Sequence, residues 1–158
     1  MANTQSMTTS FLGELMTATH NFGTAPTRGT GATDTFKAAL YLTSATVNAA
    51  TTAYSVTNEV SGTGYTAGGI TVTAATAPTA TNSSATAGVA FFTPSASFVY
   101  TTVTLSTAFD CVLLYNSTQS NKAVSVHTFG SQTITAGTFT LTMPSNTTTT
   151  ALLRLATT

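Results

Sequence analysis

The run Gly62-Thr63-Gly64-Tyr65-Thr66-Ala67-Gly68-Gly69 holds the spacing with the clearest chemical precedent. Gly62, Gly64 and Ala67 fit G-x-G-x-x-[G/A], where glycines let a backbone approach a pyrophosphate at a helix N-terminus. That chemistry requires a helix opening within the run and an acidic residue about 20 positions later. Here Gly68-Gly69 leads into Ile70-Thr71-Val72-Thr73, which is β-branched, and no Asp or Glu lies between Glu59 and Asp110. No lysine follows the glycines, so the other common phosphate loop is absent too. A turn between strands fits better. Gly68 and Gly69 can supply positive φ, and Gly62 and Gly64 let the backbone pass close to a neighbour. Glu59 can accept hydrogen bonds from N–H groups of the turn, and Tyr65 is expected to project as a contact. Glu59, Gly62, Gly64, Tyr65, Gly68 and Gly69 are therefore the candidates for a structural turn or interface.

Acid–base chemistry would have to come from His20, His127, Glu14, Asp34, Glu59 or Asp110. Glycosidase chemistry needs two carboxylates across a cleft, and each of the four acids falls in a different segment. A Ser-His-Asp arrangement stays open, since its members need not be close in sequence, but no G-x-S-x-G elbow occurs. His127, in VSVHTF, is expected to face outward from a strand or to hydrogen-bond within the sandwich. His20 has only Glu14 and Asp34 near it in sequence, a spacing unlike zinc or calcium sites. Cys111 is the single cysteine. It excludes an internal disulfide and reads as a buried, inert thiol among Phe109, Val112, Leu113 and Leu114. Tyr41, Tyr54, Tyr65, Tyr100 and Tyr115 could line a sugar-binding face or a protein contact. The expectation is no enzyme: no catalytic, cofactor-binding or metal-binding residue, and no cofactor.

The elements that must hold these residues belong to a chain with almost no charge. Asp, Glu, Lys and Arg make up 5% of 158 residues and sum to zero, against about 25% in ordinary globular domains. Such a surface lacks the repulsion that keeps molecules apart, so association is expected. Zero net charge with scattered cations argues against nucleic acid as a partner. No apolar span reaches membrane length, and the N-terminus lacks a basic segment followed by an apolar run. Synthesis in the cytoplasm is therefore expected. The sequons at Asn82, Asn116 and Asn146 carry little weight in so threonine-rich a chain.

Residues 10–22 are the best helix candidate, capped by Ser10, with Phe11, Leu15 and Phe22 at near-helical spacing. Residues 23–33 read as a linker, so 1–33 is expected to form a helix and arm, with a β-sandwich domain over 34–158. Period-two patterning marks TFKAALYLT at 35–43. AYSVTNEV reads as an edge strand, residues 76–89 as a surface loop. Further strands are expected at 88–93, 97–105, 109–116, 122–129 and 150–157, with breaks at 94–96, 117–121, 130–131 and 144–146. The segment 132–143 carries Gly137 at its centre, as one bulged strand or a hairpin. The sum is an all-β fold: a jelly-roll-like β-sandwich of about eight strands with a short N-terminal helix or arm.

Several stretches taken in order, HNF (20–22), DTFKAALYLTSAT (34–46), AYSVTNEVSGTGYTAGG (53–69), LLYNSTQSNKAV (113–124), TFGSQTITAGTFTLTMP (128–144) and ALLRL (151–155), carry a likeness. Together they resemble a family of structural proteins from tailed-bacteriophage virions, and the NEVSGTGYTAGG stretch is the most specific. The chain departs from that pattern at Ala39, before Leu40-Tyr41-Leu42, and in its Thr/Ala-rich 76–89. The resemblance implies a capsid decoration (cement) protein that bridges capsomers and stabilises the head. It implies the major capsid protein and copies of the chain as partners, as a homotrimer in the virion capsid. No nucleic acid, membrane or small-molecule substrate is implied. A neck, tail or fibre-base component and a glycan-binding module are the alternatives.

Overall fold

The computed structural model describes residues 3–16, 18–22, 33–73, 78–81 and 88–156. It is mostly β, with two antiparallel sheets and one short helix, an all-β sandwich-like fold. The elements are β1 (Ser6–Met7), α1 (Thr9–Met16), β2 (Phe36–Leu42), β3 (Ile70–Thr71), β4 (Thr79–Ala80), β5 (Val89–Phe92), β6 (Phe98–Asn116), β7 (Lys122–Leu141) and β8 (Leu153–Ala156). The first sheet runs β1-β7-β6-β2-β3 and the second β4-β5-β8. Jelly rolls wind eight strands through two Greek keys; here one long hairpin, β6 with β7, makes up most of the first sheet. Among the described residues no helix is long and apolar enough to cross a membrane.

The hairpin explains where expected breaks disappear. The expected break at 130–131, and the gap at 106–108 between two expected strands, do not interrupt β6 and β7, because bulges absorb them. Between the pairs Leu105↔Ile134 and Phe109↔Gln132 the extra residues lie on β6, and between Phe109↔Gln132 and Cys111↔Thr128 they lie on β7. Gly137 likewise sits inside one bulged strand, beside Ala136 at φ 47°. The turn at 117–121 is present, with Ser120 and Asn121 both at positive φ.

The middle of the first sheet is covered on both faces. Phe36, Ala38 and Leu40 of β2 join Val112, Leu114 and Val124 in a core closed by Phe92 and Leu153 of the second sheet and by Phe11 and Phe22. On the opposite face Ala39, Tyr41, Cys111, Leu113, Tyr115 and Val126 pack under Ala45, Val47 and Tyr54 of an irregular segment. The alternation along β2 therefore marks two buried faces, not one buried and one wet. AYSVTNEV forms no strand; it makes the isolated bridges Ala53↔Lys122 and Tyr41↔Glu59.

The N-terminal segment lies against the sandwich. β1 pairs with Val126 and Ser125, Thr8 N–H donates to Val124 O, and Phe22 stacks on Phe36 at 4.2 Å. The helix is shorter than expected, since Ala18 at φ 53° lies just beyond its last turn. Of the expected linker only Thr33 is among the described residues. Within the expected loop 76–89, Thr79–Ala80 forms β4 against Phe91 and Ala90, while 82–87 lies outside the described residues.

Candidate functional site

Glu59 sits beside β2, placed there by backbone hydrogen bonds from Leu42 N to Asn58 O and from Val60 N to Leu40 O. It is 7% exposed. A carboxylate so buried must be matched by donors, and three reach it. Tyr54 donates its hydroxyl to Oε2 at 2.6 Å, Tyr65 donates to Oε1 at 2.8 Å, and Gly68 N–H donates to Oε1 at 2.8 Å. Tyr65 Oη in turn accepts Leu40 N–H at 3.0 Å. Tyr115 Oη donates to Gly68 O at 2.8 Å, Tyr100 Oη donates to Ala38 O at 2.8 Å, and Tyr41 Oη donates to Ser55 O. The rings support one another, Tyr54 on Tyr115 at 4.6 Å and Tyr65 on Tyr100 at 5.9 Å.

Tyr65 therefore does not project. Its ring is half-buried and its hydroxyl turns inward, because the buried Glu59 carboxylate requires it. Burial first, and then the Glu59 charge, push the Tyr65 and Tyr100 phenols well above their ordinary value. The same two causes raise Tyr115 to about 12. Burial and the hydrogen bond to Glu59 raise Tyr54. Phenols held this way stay protonated and remain donors through the neutral range.

The glycines bring the turn onto the sheet. Gly69 has φ 70°, and a Cβ there would lie 1.8 Å from Ala38 O. Gly64 has φ 78°, and its Cβ would lie 2.3 Å from Thr102 O. Gly62 passes equally close to Thr104 O, and Gly68 has φ 90°. Beyond the end of β2 the turn takes that strand's place beside β6, through the bridge Thr63↔Thr104. The turn leads into the two-residue β3 rather than into a helix, so no helix N-terminus faces the glycines. A shallow cavity of about 150 Å³ opens beside Gly64, Tyr65, Gly69, Val99, Tyr100 and Thr101.

A second polar cluster lies at the end of α1. Asp34 Oδ2 accepts Asn116 Nδ2 at 2.7 Å and Asn21 N–H at 2.8 Å, and Asp34 Oδ1 accepts Gln119 Nε2 at 3.1 Å. Asn116 Nδ2 also reaches His20 Nδ1 at 3.0 Å, and its Oδ1 accepts the N–H groups of Thr118 and Gln119. With Nδ1 as the acceptor, His20 presents an Nε2 donor to Glu14 Oε2 at 2.7 Å. Glu14 Oε1 accepts Lys122 Nζ at 2.6 Å. Burial alone would raise the Glu14 carboxyl; the hydrogen bonds from Lys122 and His20 outweigh it and hold it below its ordinary value. The cluster joins α1 to the 117–121 turn. Sequence reasoning missed it because Asn116 lies 82 residues from Asp34 and 96 from His20. No local spacing signals such a meeting.

His127 lies with Ser125 on one face of β7, Ser125 Oγ to Nε2 2.8 Å. That contact has the form of a nucleophile and its base. Ser125 is 1% exposed, however, and Asp110 accepts Asn3 Nδ2 at 2.6 Å rather than orienting the imidazole. Burial pushes His127 down to about 4 and the Cys111 thiol up to about 12. Near neutrality the thiol is therefore protonated and unreactive, and the imidazole is neutral but a weak base. Among the described residues no three His, Cys, Asp or Glu side chains converge as a metal-binding group. Comparison with protein-family models, with curated proteins and with solved structures finds no match to this chain.

Proposed function

We propose that the chain is a structural component of a bacteriophage virion, a capsid decoration protein that contacts the major capsid protein and copies of itself. The observation that carries this reading is an exterior with almost no charge. Only 5% of residues are charged and the net charge is zero, on a sandwich whose buried acids Glu59 and Asp34 and five tyrosine hydroxyls are all engaged within the chain. A hydroxyl-rich surface can be buried against a neighbour without desolvating many charges. Repeated over a shell, modest contacts add up through avidity. The resemblance of the NEVSGTGYTAGG stretch supports the same reading. The glycan-binding alternative loses its support, since the tyrosines that would have carried it turn inward.

The test is copy number, followed by heating. Quantitative mass spectrometry of purified particles should give on the order of hundreds of copies, whereas about a dozen would place the chain at a neck or tail. Heads stripped of the protein should open at a lower temperature than complete heads. Equal opening temperatures would end the decoration reading.

A further inference from the structure

Among the described residues the second half of β7 is a free sheet edge. β1 covers β7 only at Ser125 and Val126, and beyond Thr128 no described strand lies on that side. Proteins ordinarily guard such an edge with lysines, prolines, bulges or a covering segment. From Thr128 to Leu141 the sequence TFGSQTITAGTFTL has no charge and no proline. Bulges at 129–131 and 135–137 bend the strand, and they are its single guard among the described residues. Between them Ser131, Gln132, Thr133 and Thr135 are exposed.

Gly130 is a second and independent observation. It is exposed, it is not at positive φ, and a Cβ built on it would meet nothing within 4 Å. A glycine inside a strand weakens it; the bulge tolerates one here, and no side chain or backbone among the described residues would clash with a Cβ. Close approach of another backbone is a standing reason for glycine in a strand.

We infer that the free edge of β7, centred on Gly130–Thr138, pairs antiparallel with the same edge of a second copy about a two-fold axis. A second copy fits because the edge is compatible with itself. Two-fold pairing centred on Ile134 sets Thr133 across from Thr135 of the other copy, a favourable hydroxyl pair, and brings no like charges together. A different protein would ordinarily be selected by charge, and this edge offers none. The contact stands on the edge alone and does not depend on a place in a virion. A three-fold assembly, the number implied by the family resemblance, would use a different surface.

The test combines sedimentation of the full chain over a concentration series with hydrogen–deuterium exchange at both ends of that series. The expected result is a monomer–dimer equilibrium, with amides of 130–138 exchanging at least roughly tenfold more slowly in the dimer. The paired variant Thr133→Lys/Thr135→Lys should weaken the dimer by at least roughly tenfold, because like charges then meet across the axis. Thr43→Lys, exposed on another loop, should leave it unchanged. A chain monomeric throughout, an oligomer protected elsewhere, or a dimer indifferent to the paired lysines would overturn the inference. If the paired variant does not fold, exchange on the native chain decides alone. Failure here would leave the virion reading intact, and a dimer absent from particles would defeat that reading only.

Discussion

Glu59 is held by donors from three parts of one turn: Tyr54 before it, and Tyr65 and Gly68 after it. Hydrogen bonds to a charged acceptor contribute more than neutral ones, and an orphaned buried partner costs more still. Glu59→Gln keeps one oxygen for Tyr65 and Gly68 and leaves Tyr54 facing an amide, so a loss of about 1–2 kcal/mol is expected. Glu59→Ala leaves all three donors without an acceptor, and about 3 kcal/mol or more is expected. Urea denaturation checks the order, and equal losses would mean the carboxylate is not the anchor. His127 sets a pH dependence. Its ordinary value is 6.5, and burial holds it at about 4 in the folded chain. Between those values the unfolded chain binds more protons, so stability rises with pH across that window. Acidification from about 6.5 to about 4 should therefore remove stability on the order of 3 kcal/mol, and the loss from this group levels off below that. Glu14 is lowered as well, so it acts in the same direction in a lower window: its contribution is whole above 4.5 and is lost as pH falls below that. Melting curves at a series of pH values should show the upper slope in the native chain and lose it in His127→Gln. An unchanged slope in that variant would assign it to another group.

The elements show which signals were local enough to read. The turn at 117–121, strand β5 and the glycine turn were legible because Asn, Ser, Gly and Pro fix backbone angles within a few residues. Gly130 and Ser131 carry the same local signals and break nothing. The ladder between β6 and β7 continues past them, and bulges take up the surplus. The long-range partners Asn116, Asp34 and His20 had no signal at all, for their meeting depends on how the helix docks. Glu59 was legible as an acceptor because an isolated acid beside glycines has N–H groups within reach. The inward turn of Tyr65 was not, since it depends on how deeply Glu59 is buried. A pair of glycines separates the two uses of that residue. Gly69→Ala puts a Cβ against Ala38 O at positive φ, and loss of the folded state is expected. Gly13, inside α1, has nothing within 4 Å. There alanine should add about 0.5–1 kcal/mol through helix propensity. Thermal melts of the two variants should move in opposite directions. A destabilised Gly13→Ala would mean that this face of α1 packs against something.

At the scale of the whole molecule the question is whether the N-terminal segment is an arm or part of the body. An arm that reaches a neighbour can be removed without harm to the sandwich. The packing argues for the body. Phe11 is 2% exposed, Phe22 stacks on Phe36, and Phe22 also meets Phe92 of the second sheet at 5.2 Å. The segment thus helps to close the space between the two sheets. The cluster of Glu14, His20, Asn116 and Lys122 ties it to the hairpin turn from the other side. Truncating a buried phenylalanine costs about 3–5 kcal/mol, a large part of the total stability of a domain this size. Phe22→Ala should therefore lower the melting temperature sharply, and deletion of residues 1–22 should abolish cooperative unfolding. Leu12 is 42% exposed on the outer side of the same helix, and Leu12→Ala should change the melting temperature little. Circular dichroism melts of the three variants decide the matter: a deleted chain that still unfolds cooperatively near the native temperature would make the segment an arm after all.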